Sequence, residues 1–242
     1  MTGLGIGRLF GIPLRLDISW LPMAGFITWS LATSYFPMFL SGQTGIASVA
    51  LALLGTVCLF ASLIAHELAH ALTARAFGIS TARITLFLFG GVAMMRAEPP
   101  TPKAEFWIAI AGPVMSLALA LLAGAGSFLT SGPNGARAAL VLFDFLFIVN
   151  MIFALFNLIP AFPMDGGRVL RAALWRQTRD VVRATRHATG ISQVLALGAI
   201  FYGFWRVWNE GVALDAFWPI LIGGFIFVSA RRVYLSVRPY RP

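Results

Sequence analysis

His66, Glu67 and His70 stand in the order His-Glu-Leu-Ala-His. Histidines four residues apart lie on one face of a helix, so both imidazoles can reach a single metal ion. Glu67 between them is placed to act on a water held by that ion, which is the chemistry of metal-assisted hydrolysis. The setting is apolar: from Ile18 to His66 there is no Lys, Arg, Asp or Glu. An ionisable group at the middle of a membrane helix costs about 2.5–3.5 kcal/mol on insertion scales, and such groups are functional candidates by default. Two of the three histidines of the chain fall in this motif. Chance recurrence of a five-residue pattern gives no reason for that concentration, nor for His, Glu and His in an apolar helix.

The elements that must carry these residues are membrane elements. Of 242 residues, 59% are hydrophobic and 11% charged, with a mean hydropathy of +0.83. Soluble domains carry about 25% charged residues, so the composition is that of an integral membrane protein. The single cysteine, Cys58, excludes an intramolecular disulfide and a zinc ribbon. It precedes His66 by about 12 Å along a helix and reads as packing. The net charge of +9 comes from basic residues set between apolar segments, not from an aromatic-interleaved patch. The expected partner is therefore the lipid bilayer, with no nucleic acid. No compact apolar run with a cleavage-like end follows Arg8, so no removable signal peptide is expected.

Along the chain, residues 1–17 read as a short interfacial lead-in. Six transmembrane helices are expected at about 20–40, 46–77, 104–129, 138–159, 190–208 and 217–234. A polar turn covers Ser41 to Gly45, and Gly78 closes the second helix. That helix is roughly 48 Å long against a hydrocarbon core of about 30 Å, so Arg75 is expected to snorkel at its far end. The histidines then lie about 10–17 Å inside that end. Residues 82–96, around Gly90-Gly91, read as a β-hairpin apolar on both faces. Backbone at membrane depth is tolerated only when buried or lining a cavity. Pro99, Pro100 and Pro102 break the chain, 131–135 is a loop, and the basic stretch 168–187 reads as a surface helix. The fold class is thus an all-α polytopic membrane protein with a small membrane-associated β-hairpin or sheet, in one domain over 1–242 and without a soluble regulatory domain. With six spans and the N-terminus inside, sixteen of the eighteen Lys and Arg fall on one side and only Arg137 and Arg206 on the other. That asymmetry puts both termini, the hairpin and the metal-bearing helix end on the cytoplasmic side of the cell membrane.

A catalytic zinc usually takes three protein ligands and keeps a fourth position open. His187 sits among arginines, a poor place for the third. Asp144 lies near the outer end of the fourth span, about 20 Å or more from the depth of the histidines, and is expected to bond to another helix. Glu98 and Glu105 flank the proline-rich break and read as surface charges. Asp165 follows Pro160 and Pro163 at the inner end of the fourth span, in a stretch free to dip back toward the second helix. An ordinary Asp-Gly-Gly turn is the rival reading of those residues; depth favours Asp165 as ligand.

His66-Glu67-Leu68-Ala69-His70, taken with the run from Asn157 through Pro160, Pro163 and Asp165-Gly166-Gly167 to Arg168, resembles the site-2 protease family of intramembrane zinc metalloproteases. The opening Gly11-Ile12-Pro13-Leu14-Arg15-Leu16-Asp17-Ile18-Ser19-Trp20 and the Phe89-Gly90-Gly91 hairpin also look like its prokaryotic six-span branch. The resemblance covers essentially the whole chain. It implies one Zn2+ per chain held by His66, His70 and Asp165, with Glu67 as general base and Asn157 near the substrate or oxyanion. It implies regulated cleavage of a single-span membrane protein, anti-sigma factors being one such class. Two departures stand out. Ser116 occupies the position three residues after Ala111-Gly112-Pro113 where members often have Asn, and the paired nucleotide-binding regulatory domains common in that branch are not found in these 242 residues. The competing functions are a metal-ion transporter, in which intramembrane His and acidic groups form an ion path, and a non-catalytic zinc-binding membrane protein. Against transport, the polar residues cluster at one end of the membrane and do not run through it.

Overall fold

The computed structural model describes residues 3–40, 45–87, 90–132, 136–211 and 214–237. Most of the expected 41–45 turn, Phe89 of the expected hairpin, residues 133–135 of the expected loop, and Arg238 and Arg241 lie outside the described residues. The chain divides into two compact units, one comprising the residues up to Glu98 with Ala111–Leu155, the other Pro99–Ile110 with the residues from Phe156 onward.

The first unit opens with two strands, β1 (Gly3–Leu9) and β2 (Ile12–Asp17). The expected interfacial lead-in is therefore a β-hairpin. Phe10 and Gly11 both have positive φ, 50° and 82°, and two central residues of that kind make the turn whose twist matches paired strands. Asp17 ends β2, and the Ser19 N–H that it accepts holds its carboxyl below the usual carboxylate range. A helical run follows: α1 (Trp20–Ser30), a π-helical turn over Leu31–Tyr35, and α2 (Phe36–Phe39). Pro37 has no N–H to give the Thr33 carbonyl, and the helix widens just before it.

Helix α3 (Gly45–Ala76) carries the motif, and β3 (Thr81–Phe87) and β4 (Gly90–Met95) follow it. At the end of α3, Gly78 has φ +79°. Its N–H reaches the Arg75 carbonyl at 3.0 Å while Ile79 N–H reaches Ala74 at 2.9 Å, a Schellman cap. Arg75 is exposed at that end, and its Nη2 donates to the Phe10 carbonyl at 2.8 Å and ties the helix end to the β1–β2 turn. The sheet has four strands in the order β1-β2-β3-β4, antiparallel at both ends and parallel where β2 meets β3 through Leu14–Ile84 and Leu16–Leu86. Ile12, Leu14 and Ile84 bury against Ala71 of α3, with Ile64, Leu68 and Ala93 around them. A second core gathers Leu31, Phe36, Leu40, Ala52, Val141 and Phe145. Most of α4 (Pro102–Thr130) and α5 (Arg137–Asn157) complete this unit. Asn150 of α5 donates to Ser62 Oγ of α3 at 3.1 Å, and Ser127 of α4 donates to Asp144 at 2.5 Å.

The second unit contains the first turns of α4, then α6 (Asp165–Thr178), α7 (Val181–Glu210), a 3-10 turn (Leu214–Ala216) and α8 (Phe217–Ser236). The basic stretch expected as one surface helix is two. Arg179 takes a left-handed conformation, and Asp180 caps the next helix by accepting from Val182 and Arg183 N–H. α7 and α8 approach closely because Gly203 and Gly223 have no Cβ: one on Gly203 would lie 2.5 Å from Ile220, and one on Gly223 2.7 Å from the Ala196 carbonyl.

Among the described residues five helices, α3, α4, α5, α7 and α8, are long and apolar enough to cross a membrane. Large apolar side chains such as Leu53, Leu122, Leu129, Val194 and Phe201 are exposed along them, as befits surfaces that meet lipid. The protein is mostly helical, with one small sheet among the described residues.

Candidate metal centre

Helical spacing stacks His66 and His70 on one face of α3, and both are buried, 3% and 6% exposed. Their Nε2 atoms point at each other, 3.2 Å apart. The other ring nitrogen of His66, Nδ1, is 2.9 Å from Ser116 Oγ on α4, and Ser116 has no exposed surface. With Nε2 given to a metal, Nδ1 carries the proton and donates it to that hydroxyl, which fixes the tautomer and the ring plane.

Gly112 lies one helical turn before Ser116 on the same face of α4. A Cβ there would sit 2.3 Å from His70 Nε2 and 2.5 Å from His66 Nε2. It would occupy the space in which an ion shared by the two rings must lie, so the fit is that of a ligand cradle kept open by a missing side chain. Pro113 follows and cannot donate to the Ala109 carbonyl, which loosens α4 beside the histidines.

Glu67 points to the sheet. Its Oε2 accepts the Ala93 N–H of β4 at 3.0 Å, and a Cβ on Gly91 would lie 2.7 Å from Glu67 Cγ. The general-base candidate therefore sits against the outer edge of β4, a strand that among the described residues pairs only with β3.

Asp165 is the first residue of α6. The chain before it, from Leu158 to Met164, is non-helical and folds back tightly. A Cβ on Gly166 would meet the Leu158 carbonyl at 2.3 Å, and one on Gly167 would meet Ala161 at 2.6 Å. Asp165-Gly166-Gly167 is thus a helix start pressed on its own lead-in and not a free turn. Ser192 of α7 accepts the Phe162 N–H at 3.0 Å and fixes that lead-in. His66 and His70 belong to the first unit and Asp165 to the second.

The model of peptidase family M50 matches residues 54–142 and 133–201, more than half of the chain. The chain belongs to peptidase family M50. Among similar proteins, the Mycobacterium tuberculosis protein Rip3 is 41% identical over 226 residues, covering 93% of this chain and 57% of Rip3. Zinc metalloprotease MJ0392 of Methanocaldococcus jannaschii is 38% identical over 148 residues, 61% of this chain and 42% of that protein. The solved site-2 protease from Methanocaldococcus jannaschii superposes with a TM-score of 0.59 at 28% identity, covering 100% of this chain and 98% of that one. The site-2 protease resemblance read from the motifs is borne out. The chain spans little more than half the length of Rip3.

The remaining sequence candidates separate. Asp144 is bonded to Ser127, and His187 is exposed on α7. Asn157 is the half-buried last residue of α5. Glu105 corrects the sequence reading. It is no surface charge but 1% exposed, with Arg171 Nε and Nη2 at 2.6 and 2.5 Å from its Oε1 and the same guanidinium over the Phe162 ring. Ser116 and Gly112 were missed as site residues. The Ala-Gly-Pro spacing flagged Ser116 as a departure, and only packing shows that its hydroxyl takes up a histidine nitrogen.

Proposed function

We propose that this chain is an intramembrane zinc metalloprotease that hydrolyses a peptide bond in or beside the transmembrane segment of a single-span membrane protein, in regulated proteolysis of signalling proteins such as anti-sigma factors. The observation that carries the reading is the convergence of two buried histidine Nε2 atoms on a space that Gly112 leaves open. One Zn2+ per chain is assigned to His66, His70 and Asp165. Zinc, when bound, supplies Lewis-acid polarisation of the scissile carbonyl and acidifies a water.

The chain's own residues do the rest. Ser116 orients His66. Glu67 takes the water's proton and passes it to the leaving amine. Asn157 stands near the substrate or its oxyanion. A helix hides its amides in its own hydrogen bonds, so a substrate span must unwind to be cut. An unwound segment can add as a strand to the free edge of β4, and the Ala93 N–H on that edge already reaches Glu67. The helical run 20–39, about 30 Å long at 1.5 Å per residue, serves as a sixth span. The sixteen-to-two distribution of Lys and Arg supports an orientation with both termini and the opening of the site on the cytoplasmic side of the inner membrane.

Purification in detergent, zinc analysis and a cleavage assay on a panel of single-span substrates test this. Glu67→Gln is expected to keep zinc at about one per chain and to abolish cleavage. Residual proteolysis in that variant sinks the general-base role. Ion transport that survives in it favours a transporter, and zinc without any cleavage in the wild type favours a non-catalytic binder.

A further inference from the structure

Away from the metal centre, the second unit holds a cavity of about 800 Å3 between the first turns of α4 and the outer face of α6. Phe106 and Trp107 of α4, with Ala172 and Ala173 of α6, make its wall apolar. Two other lining residues are cations, Lys103 and Arg176. Both are exposed, and neither pairs with a carboxylate among the described residues. The neighbouring Arg171 is already committed to Glu105.

Position and chemistry agree on the occupant. α4 is a candidate membrane span that begins at Pro102, so Lys103 and Trp107 lie at headgroup depth, where Trp gathers. α6 bears Arg168, Arg171 and Arg176 along a helix with Leu170 and Leu174 on its other side, the pattern of an interfacial amphipathic helix. A free anion would leave the apolar wall in water, and a neutral lipid would leave two cations uncompensated. An amphiphile with an anionic head satisfies both, and the volume falls within the range of about 300–1,000 Å3 usual for small-molecule sites.

We propose that this cavity binds an anionic phospholipid, its phosphate between Lys103 and Arg176 and an acyl chain against Phe106, Trp107, Ala172 and Ala173. Basic pockets between membrane helices bind anionic headgroups in this way. Because Asp165 is the first residue of α6, the seated lipid also steadies the helix that presents it.

The test uses the whole chain in non-ionic detergent, titrated with phosphatidylglycerol or with phosphatidylcholine of the same acyl chains, bound lipid being counted by native mass spectrometry. The first phosphatidylglycerol is expected to bind about thirty-fold tighter, about five-fold per cation. K103Q/R176Q should bring the two lipids to equality. A173W, which fills the apolar half, should weaken both. Zinc content and melting temperature verify that each variant is folded; should A173W fail to fold, the exposed pair K103Q/R176Q carries the test. Equal affinity of the two lipids in the wild type overturns the proposal, as does an undiminished preference in K103Q/R176Q. Displacement of the lipid by millimolar inorganic phosphate would mean a soluble-anion site instead, and also overturns it.

Discussion

Ser116→Ala isolates the support of the proposed metal ligand His66 from the ligand itself. The Ser116 hydroxyl is fully buried and 2.9 Å from His66 Nδ1, while His66 Nε2 faces His70 Nε2 at 3.2 Å. Removing the hydroxyl leaves both histidines in place and deletes one restraint on ring orientation and basicity. Outer-shell partners of this kind are typically worth 10–100-fold in metal affinity, about 1.4–2.8 kcal/mol. A neutral hydrogen bond contributes only about 0.5–1.5 kcal/mol to folding, so the two effects can be told apart. Zinc affinity is measured by chelator competition in detergent, and the melting temperature is taken with and without zinc. The metal-free melting temperature should change little, whereas zinc affinity should fall 10–100-fold. Ser116→Thr, which keeps an oxygen acceptor, should recover most of it. Affinity in Ser116→Ala within two-fold of wild type would refute the orienting role, as would equal losses in the alanine and threonine variants.

Three further outcomes follow from the geometry. Gly112→Ala places a methyl 2.3–2.6 Å from the histidine ring atoms; it should abolish zinc binding, by metal analysis, while the chain still folds. Asp165→Ala should weaken zinc strongly, since two imidazoles alone would remain, whereas Asp144→Asn should keep full occupancy; the opposite result would mean that the aspartate ligand is misassigned. Glu105→Gln should cost about 3–5 kcal/mol of stability, because it breaks an ion pair with little exposed surface, whereas exchanging Glu105 and Arg171 together for apolar residues should cost much less. A double-mutant cycle on melting temperature reads this coupling.

What the sequence determined by itself was local or compositional. The spacing of His66, Glu67 and His70 sets a shared helical face wherever that helix lies, and low charge with high hydropathy commits the chain to a bilayer. Gly78 marked the α3 terminus because a left-handed cap favours glycine. What escaped the sequence depends on partners distant in the chain. β2 joins β3 across about seventy residues, and no local pattern encodes a parallel pairing; the alternating glycines of 3–9 weaken the strand signal as well. Glu105 read as a surface charge because its arginine lies sixty-six positions later. Ser116 contacts a histidine fifty residues before it, and a lone serine in an apolar helix carries no signal of that. Only tertiary packing could turn Gly112 from a helix-weakening residue into the open side of a metal cradle, because the need for a missing Cβ appears only when another helix brings two imidazoles against it.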